Sequence, residues 1–255
     1  RELLKEDIIK NHYGQQEAAI IASRGCAFNC SFCGGAYMLN KDSMIRYRSM
    51  PDIENEIQRI ISSNPNVSSI RVLDDLFLRD QKSISNAVLL FSRFEKLSWR
   101  GMAHILTFVK RLELLPDIKQ SHCSELFIGI ESGSESIRKR INKLGTVTQV
   151  IEVVSAILDC GIDVKGYFMY GFPGETNDDA NETFILSSRL KEISKKTKGK
   201  FRTSVFQFRP YHGTKLYNEI IESGQKIAIA SSNKALNILD KRSQFNFQSG
   251  LPFIQ

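Results

Sequence analysis

No apolar run in these 255 residues approaches the length of a membrane-spanning helix, and no charged-then-apolar signal segment opens them. Histidine is scarce: there are four, and none lies between Cys33 and His104. Cysteine is scarce too, and its five copies are odd in number and mostly clustered, which does not suit a secreted disulfide framework. The expected setting is therefore a reducing cytoplasm, with no membrane partner. What the chain does have is 42% hydrophobic and 25% charged residues, enough for one large folded unit, since α/β barrels of this length share a single core. The net charge of +7 permits a phosphate-bearing or nucleic-acid partner without requiring one. Locally the basic residues concentrate in "KEISKKTKGKFR", where a solvated helix end accounts for them.

Strand and helix patterns alternate. Apolar or alternating runs at 18–23, 68–77, 98–104, 125–132, 163–176 and 202–214 read as strands or strands entering loops. Between them lie helical spacings. One places Ile53, Ile57, Ile60 and Ile61 on one face behind a Ser49 cap, with Pro51 in its first turn. Another opens at Thr146 with Gln149 three residues on, and stops at Gly161. A helix over 107–121 is expected to break near Pro116. Six such repeats imply parallel strands with right-handed crossovers and outer helices, a fold whose functional residues gather where the strands end. At those ends stand "CAFNCSFC", Asp74-Asp75, Glu131-Ser132, "GFPGE" and "RPYHGT".

The loop "CAFNCSFC" brings Cys26, Cys30 and Cys33 within eight positions. Three readings are open. Zinc would need a distant fourth ligand, and redox exchange by Cys30 and Cys33 would leave Cys26 without a role. A four-iron cluster on three thiolates leaves one iron free for another ligand.

This C-x3-C-x-aromatic-C pattern resembles the signature of radical S-adenosylmethionine (SAM) enzymes, and it follows the first strand, as in that superfamily. "RYRSMPDIENEI", "VLDDLF", "GIESGSESIRKRINK", "YGFPGET" and "RPYHGTKLY" resemble its cobalamin-associated branch, over roughly residues 18 to 224; "RSQFNF" (242–247) is similar too. The resemblance implies a partial (β/α)6 barrel at 18–224, a lead-in at 1–17 left from a linker to an N-terminal domain outside these residues, and a tail at 225–255. It implies a 4Fe-4S cluster held by Cys26, Cys30 and Cys33, with SAM on the fourth iron. Reductive cleavage of SAM would give a 5′-deoxyadenosyl radical that takes hydrogen from an organic small-molecule substrate, for example towards methylation.

By the same resemblance, Phe32 meets adenine, Asp74 or Asp75 the SAM ammonium, Glu131 and Ser132 the ribose or methionine part, and Lys143 the SAM carboxylate. An electron donor such as flavodoxin or ferredoxin is implied. No D-x-H-x-x-G cobalamin motif occurs, so either cobalamin binds through a domain outside these residues or this member works without it. No catalytic side chain is singled out. The alternatives are a methylthiotransferase acting on tRNA or a ribosomal protein, and a non-enzymatic zinc or cluster module.

Overall fold

The computed structural model describes residues 8–42 and 44–224. The sequence similarity at 242–247 lies outside them, as does the tail from 225 on. In chain order the strands are β1 (Ile9–Lys10), β2 (Gln16–Ile20), β3 (Ser23–Arg24), β4 (Arg46–Tyr47), β5 (Val67–Val72), β6 (Ser98–Ala103), β7 (Cys123–Glu131), β8 (Asp163–Tyr170) and β9 (Phe201–Gln207). The helices are α1 (Met50–Ser63), α2 (Gln81–Phe91), α3 (Leu115–Gln120), α4 (Glu135–Arg140), α5 (Val147–Asp159), α6 (Asn177–Ser194) and α7 (Lys215–Glu222). Seven strands form one sheet in the order β1-β2-β5-β6-β7-β8-β9, parallel throughout except for β1 at one edge. The six parallel strands, joined through outer helices, are the partial (β/α)6 barrel expected.

Strand alternation divides the sheet into two chemistries. Along β7, Leu126, Ile128 and Ile130 face the helices and join one apolar core with Trp99, Phe91, Val154 and Phe168. Glu125, Phe127, Gly129 and Glu131 take the opposite, concave face, and the register sets Arg100 beside Glu125 and Lys165 beside Phe127. Helix ends are fixed by side chains. Ser49 caps α1, and reciprocal capping boxes open α2 (Asp80, Ser83), α5 (Thr146, Gln149) and α6 (Thr176, Asp179). Each cap is worth about 1 kcal/mol.

Some expected bounds move. The first strand starts at Gln16 and ends at Ile20, and the second stops at Val72, because the carboxylate of Asp74 turns back to accept from the Ala22 N–H. The fifth and sixth strands end at Tyr170 and Gln207, where turns take over. Pro116 begins α3 and does not break a longer helix: without an N–H it suits a first turn and cannot continue an earlier one. Two short 3-10 turns occupy the residues before it.

On the concave face a chain of buried charges crosses the sheet. Arg100 grips Glu17 through Nε and Nη2, both at 2.5 Å, and reaches Glu125 through Nη1 at 3.0 Å. Arg202 closes on the same Glu125 from the other side, with Nη2 to Oε2 at 2.7 Å. Burial alone would raise the Glu17 carboxyl, but the hydrogen bonds from Arg100 outweigh it and hold the group below the usual range. Removing the cation strands buried carboxylates. Arg100→Met is expected to destabilise the fold by about 3–5 kcal/mol in urea titration.

Candidate active site

The cysteine loop grows from the end of β2 and is closed at its base by a two-rung ladder, Ser23 with Tyr47 and Arg24 with Arg46. It is then tied down across the barrel mouth. The Ser31 N–H donates to the Ile141 carbonyl (2.8 Å), and the Ser31 carbonyl accepts from the Leu216 N–H (3.0 Å), so α4 and α7 hold it from both sides. Asn142 Nδ2 donates to the Asn29 carbonyl at 2.8 Å. Phe32 packs edge-on to Phe172, centroids 5.6 Å apart, against a small apolar cluster of Ile137, Ile141, Phe208 and Leu216. That contact anchors the loop, and the ring remains half-buried.

The thiols stand close together: Cys26 and Cys33 act on the charge of Cys30, Cys26 acts on that of Cys33, and Glu131 and Lys143 act on both. Burial, more than any neighbour, pushes the Cys30 thiol up to about 11 and raises that of Cys33. A bare thiolate is disfavoured in this setting, and a bound cationic centre would reverse the preference. Among the described residues, no three His, Cys, Asp or Glu side chains meet at one ion-sized point.

Opposite the thiols, Glu131 and Lys143 form a buried ion pair, Nζ to Oε1 3.2 Å. Its floor is Gly129, where a Cβ would lie 2.4 Å from Glu131 Oε1 and 2.9 Å from Lys143 Nζ. The backbone bends to present the pair. Glu131 sits at φ 65° beside a bulge in β7, and Asn142 at φ 53°. Arg138, 1% exposed, braces both ends of this arrangement. Its guanidinium donates to the carbonyls of Ile130 (2.7 Å), Ser132 (3.2 Å) and Gly145 (2.8 Å).

The expected polar pairs separate in role. Ser132 is fully buried, its hydroxyl 3.0 Å from that of Thr183 on α6, so Glu131 is the member that faces the thiols. Asp74 is committed to the Ala22 N–H (2.8 Å) and the Ser23 hydroxyl (2.5 Å). Asp75 is exposed, accepts from the Gly25 N–H (2.9 Å), and has Oδ1 3.7 Å from where a Cβ on Gly35 would stand. It therefore spans both ends of the cysteine loop. Behind Asp74, between α1, α2 and Tyr47, lies a separate cavity of roughly 360 Å3 that none of the cysteines lines.

Two residues of the site gave no isolated signal in the sequence. Arg138 is one. His104, at the end of β6, is the other: it is 5% exposed and stacks on Phe28 of the cysteine loop with centroids 4.1 Å apart. Its Nδ1 accepts from the Leu106 N–H at 3.1 Å, which leaves the proton on Nε2, and that buried atom has no partner among the described residues. Thiols in apolar surroundings, a Cβ-free cradle under an ion pair and an orphaned donor are together what a bound polar cofactor would satisfy.

Parallel strands ending at a three-cysteine loop, with an acidic–basic pair facing it, define a cofactor-dependent barrel enzyme class. The match to the Radical SAM superfamily model over residues 20–186 makes the assignment: the chain belongs to that superfamily, whose members use a 4Fe-4S cluster and SAM. It is 28% identical over 172 residues to an uncharacterized methyltransferase of Pyrococcus horikoshii, covering 67% of this chain and 36% of that one. It is 25% identical over 234 residues to the ribosomal protein uS12 methylthiotransferase RimO of Caldanaerobacter subterraneus, covering 88% and 50%. The cobalamin-dependent SAM radical enzyme OxsB shares the fold at a TM-score of 0.67 and 17% identity, over 83% of this chain and 36% of that one. The chain thus spans between about a third and a half of the length of these relatives.

Burial, then the charges of Lys143 and Arg138, push the His104 pKa down to about 3. A histidine held neutral when folded but free to protonate when unfolded costs stability as pH falls from about 6.5 towards 3. His104→Gln is expected to remove a pH-dependent loss of about 2 kcal/mol between pH 7 and pH 5, read from urea midpoints across that range.

Proposed function

We propose that this chain is the catalytic barrel of a radical SAM enzyme acting on an organic small molecule, in the methyl-transferring branch of the superfamily. One observation carries the proposal. The buried Glu131–Lys143 pair, cradled by Gly129, lies within electrostatic reach of Cys30 and Cys33 at the strand ends. Cys26, Cys30 and Cys33 would each hold one iron. The chemistry such a cluster would supply, once bound and reduced, is one electron for splitting SAM into methionine and a hydrogen-abstracting 5′-deoxyadenosyl radical.

The chain's own residues bind and orient. Glu131 and Lys143, already paired, can exchange partners with the ammonium and carboxylate of the methionine part of SAM, so neither charge is left alone when SAM arrives or leaves. Asp75, with a carboxylate oxygen turned to the loop, is the better acceptor of the expected aspartate pair. His104 Nε2 offers one further donor. Phe32 has its remaining face for adenine. Ser132 serves through α6, keeping the strand end in place.

Cobalamin, where the reaction uses it, would be supplied by a segment outside these residues. The electron donor would be a flavodoxin or ferredoxin. The methylthiotransferase relative supports a second reading, with tRNA or a ribosomal protein as substrate.

Anaerobically reconstituted protein given SAM and a strong reductant is expected to form 5′-deoxyadenosine, and Cys30→Ala is expected to abolish it without changing the thermal midpoint. Retained cleavage in that variant would overturn the assignment. Gly129→Ala is expected to weaken SAM binding at least about tenfold, in equilibrium dialysis, by displacing both ends of the ion pair.

A further inference from the structure

Below the level of Glu131, the concave face of the barrel gathers more positive than negative charge. Four cations face it: Arg71 on β5, Arg100 on β6, Lys165 on β8 and Arg202 on β9. Two of them are spoken for, since Arg100 and Arg202 hold Glu17 and Glu125. The next carboxylate down, Asp163, is engaged by the Tyr13 hydroxyl (2.6 Å) and the Lys200 N–H (2.7 Å). Arg71 and Lys165 have no hydrogen bond or ion pair among the described residues, and Nε of Arg71 is buried without any partner.

Both cations border Phe127. The Arg71 guanidinium lies over the Phe127 ring, 5.3 Å from its centroid, and Lys165 is the register neighbour of Phe127 on the next strand. The Lys165 ammonium lies 5.1 Å from the centroid of Tyr167. Burial, and then Arg202, Arg71 and Arg100, push its pKa down; Glu125 opposes them without prevailing. Cation–π contact offsets less than a charge drawn away from water forgoes. Both side chains remain partly accessible. Beside them Phe127, Tyr167 and Phe206 form a continuous aromatic wall, with successive centroids 6.2 and 5.8 Å apart.

We propose that Arg71 and Lys165 form the binding site for an oxyanion, phosphoryl or carboxylate, carried by the substrate. The inference rests on the radical SAM reading for its use of the word substrate; the site itself rests on the side chains. A guanidinium fork beside an ammonium point charge suits an anion with several oxygens. Counting residues along β7, the site lies roughly 10–13 Å below Glu131. A substrate anchored there would stand along the aromatic wall and present its opposite end to the cysteine loop.

The test is a ligand-observed NMR titration of the 255-residue chain with phenyl phosphate, benzoate and neutral phenol, at two salt concentrations. At least one anion is expected to bind about tenfold or more tightly than phenol, and to weaken with salt. The tighter of the two assigns a phosphoryl or a carboxylate group. Arg71→Gln and Lys165→Gln are each expected to lose about tenfold in anion affinity while phenol binding is unchanged. Arg71→Lys and Lys165→Arg are expected to recover part of it, which a merely disturbed fold would not allow. Anions that bind no better than phenol, or variants that bind them as the parent does, overturn the site. Because neither SAM nor the cluster enters this titration, such a result beside intact 5′-deoxyadenosine formation leaves the radical assignment standing. Anion binding without that product strikes only the radical assignment.

Discussion

The shape of this protein depends on buried charges that skip a strand. Glu17 is on β2 and its partner Arg100 on β6, with β5 between them; Glu125 is on β7 and Arg202 on β9, with β8 between. In a flat sheet such strands stand about 9–10 Å apart. Direct pairing over the concave face is easiest when the sheet curls towards it. Each pair therefore acts as a chord across an arc. Alternation makes the chords possible, since the face that carries them is the one the helices do not cover.

Curling the sheet brings the strand ends round a common mouth, and the loops divide the work there. Arg138 spends a buried cation on backbone carbonyls alone, which fixes the turn after β7 and the Leu144–Gly145 segment in one piece. Glu131 and Lys143 lie at the two ends of that piece. The cysteine loop is then laid on top by backbone hydrogen bonds to α4 and α7, so its position depends on helices that follow it by more than a hundred residues. A site assembled this way is organised before any cofactor arrives, since each brace is made of protein alone.

Much of this could be read from the sequence. The six strands, the Ser49 cap, the Thr146–Gln149 box and the cysteine loop all leave local patterns, because each depends on residues a few positions apart. The strand ends did not, since Asp74 stops β5 by bonding to Ala22, fifty-two residues away. Pro116 reads as a break where it opens α3, because the sequence marks a proline's effect on a helix but not on which side of it the helix lies. Among site residues, the aspartate pair is symmetrical in one dimension and separated only by what each oxygen meets. Ser132 and Glu131 point to opposite sides of the sheet for the same reason. Arg71 and Lys165 look like ordinary polar positions of alternating strands until the chords have claimed the other charges.

The two borders of the sheet are unlike. Among the described residues, one is β1, two residues long and antiparallel. The other, among the described residues, is β9, seven residues long, with Val205 61% and Phe206 44% exposed. Among the described residues, the longer row of edge groups, and so the more favourable border for adding a strand, lies beside β9. Phe206 also belongs to the aromatic wall, so whatever adds to that border completes the lumen as well as the sheet.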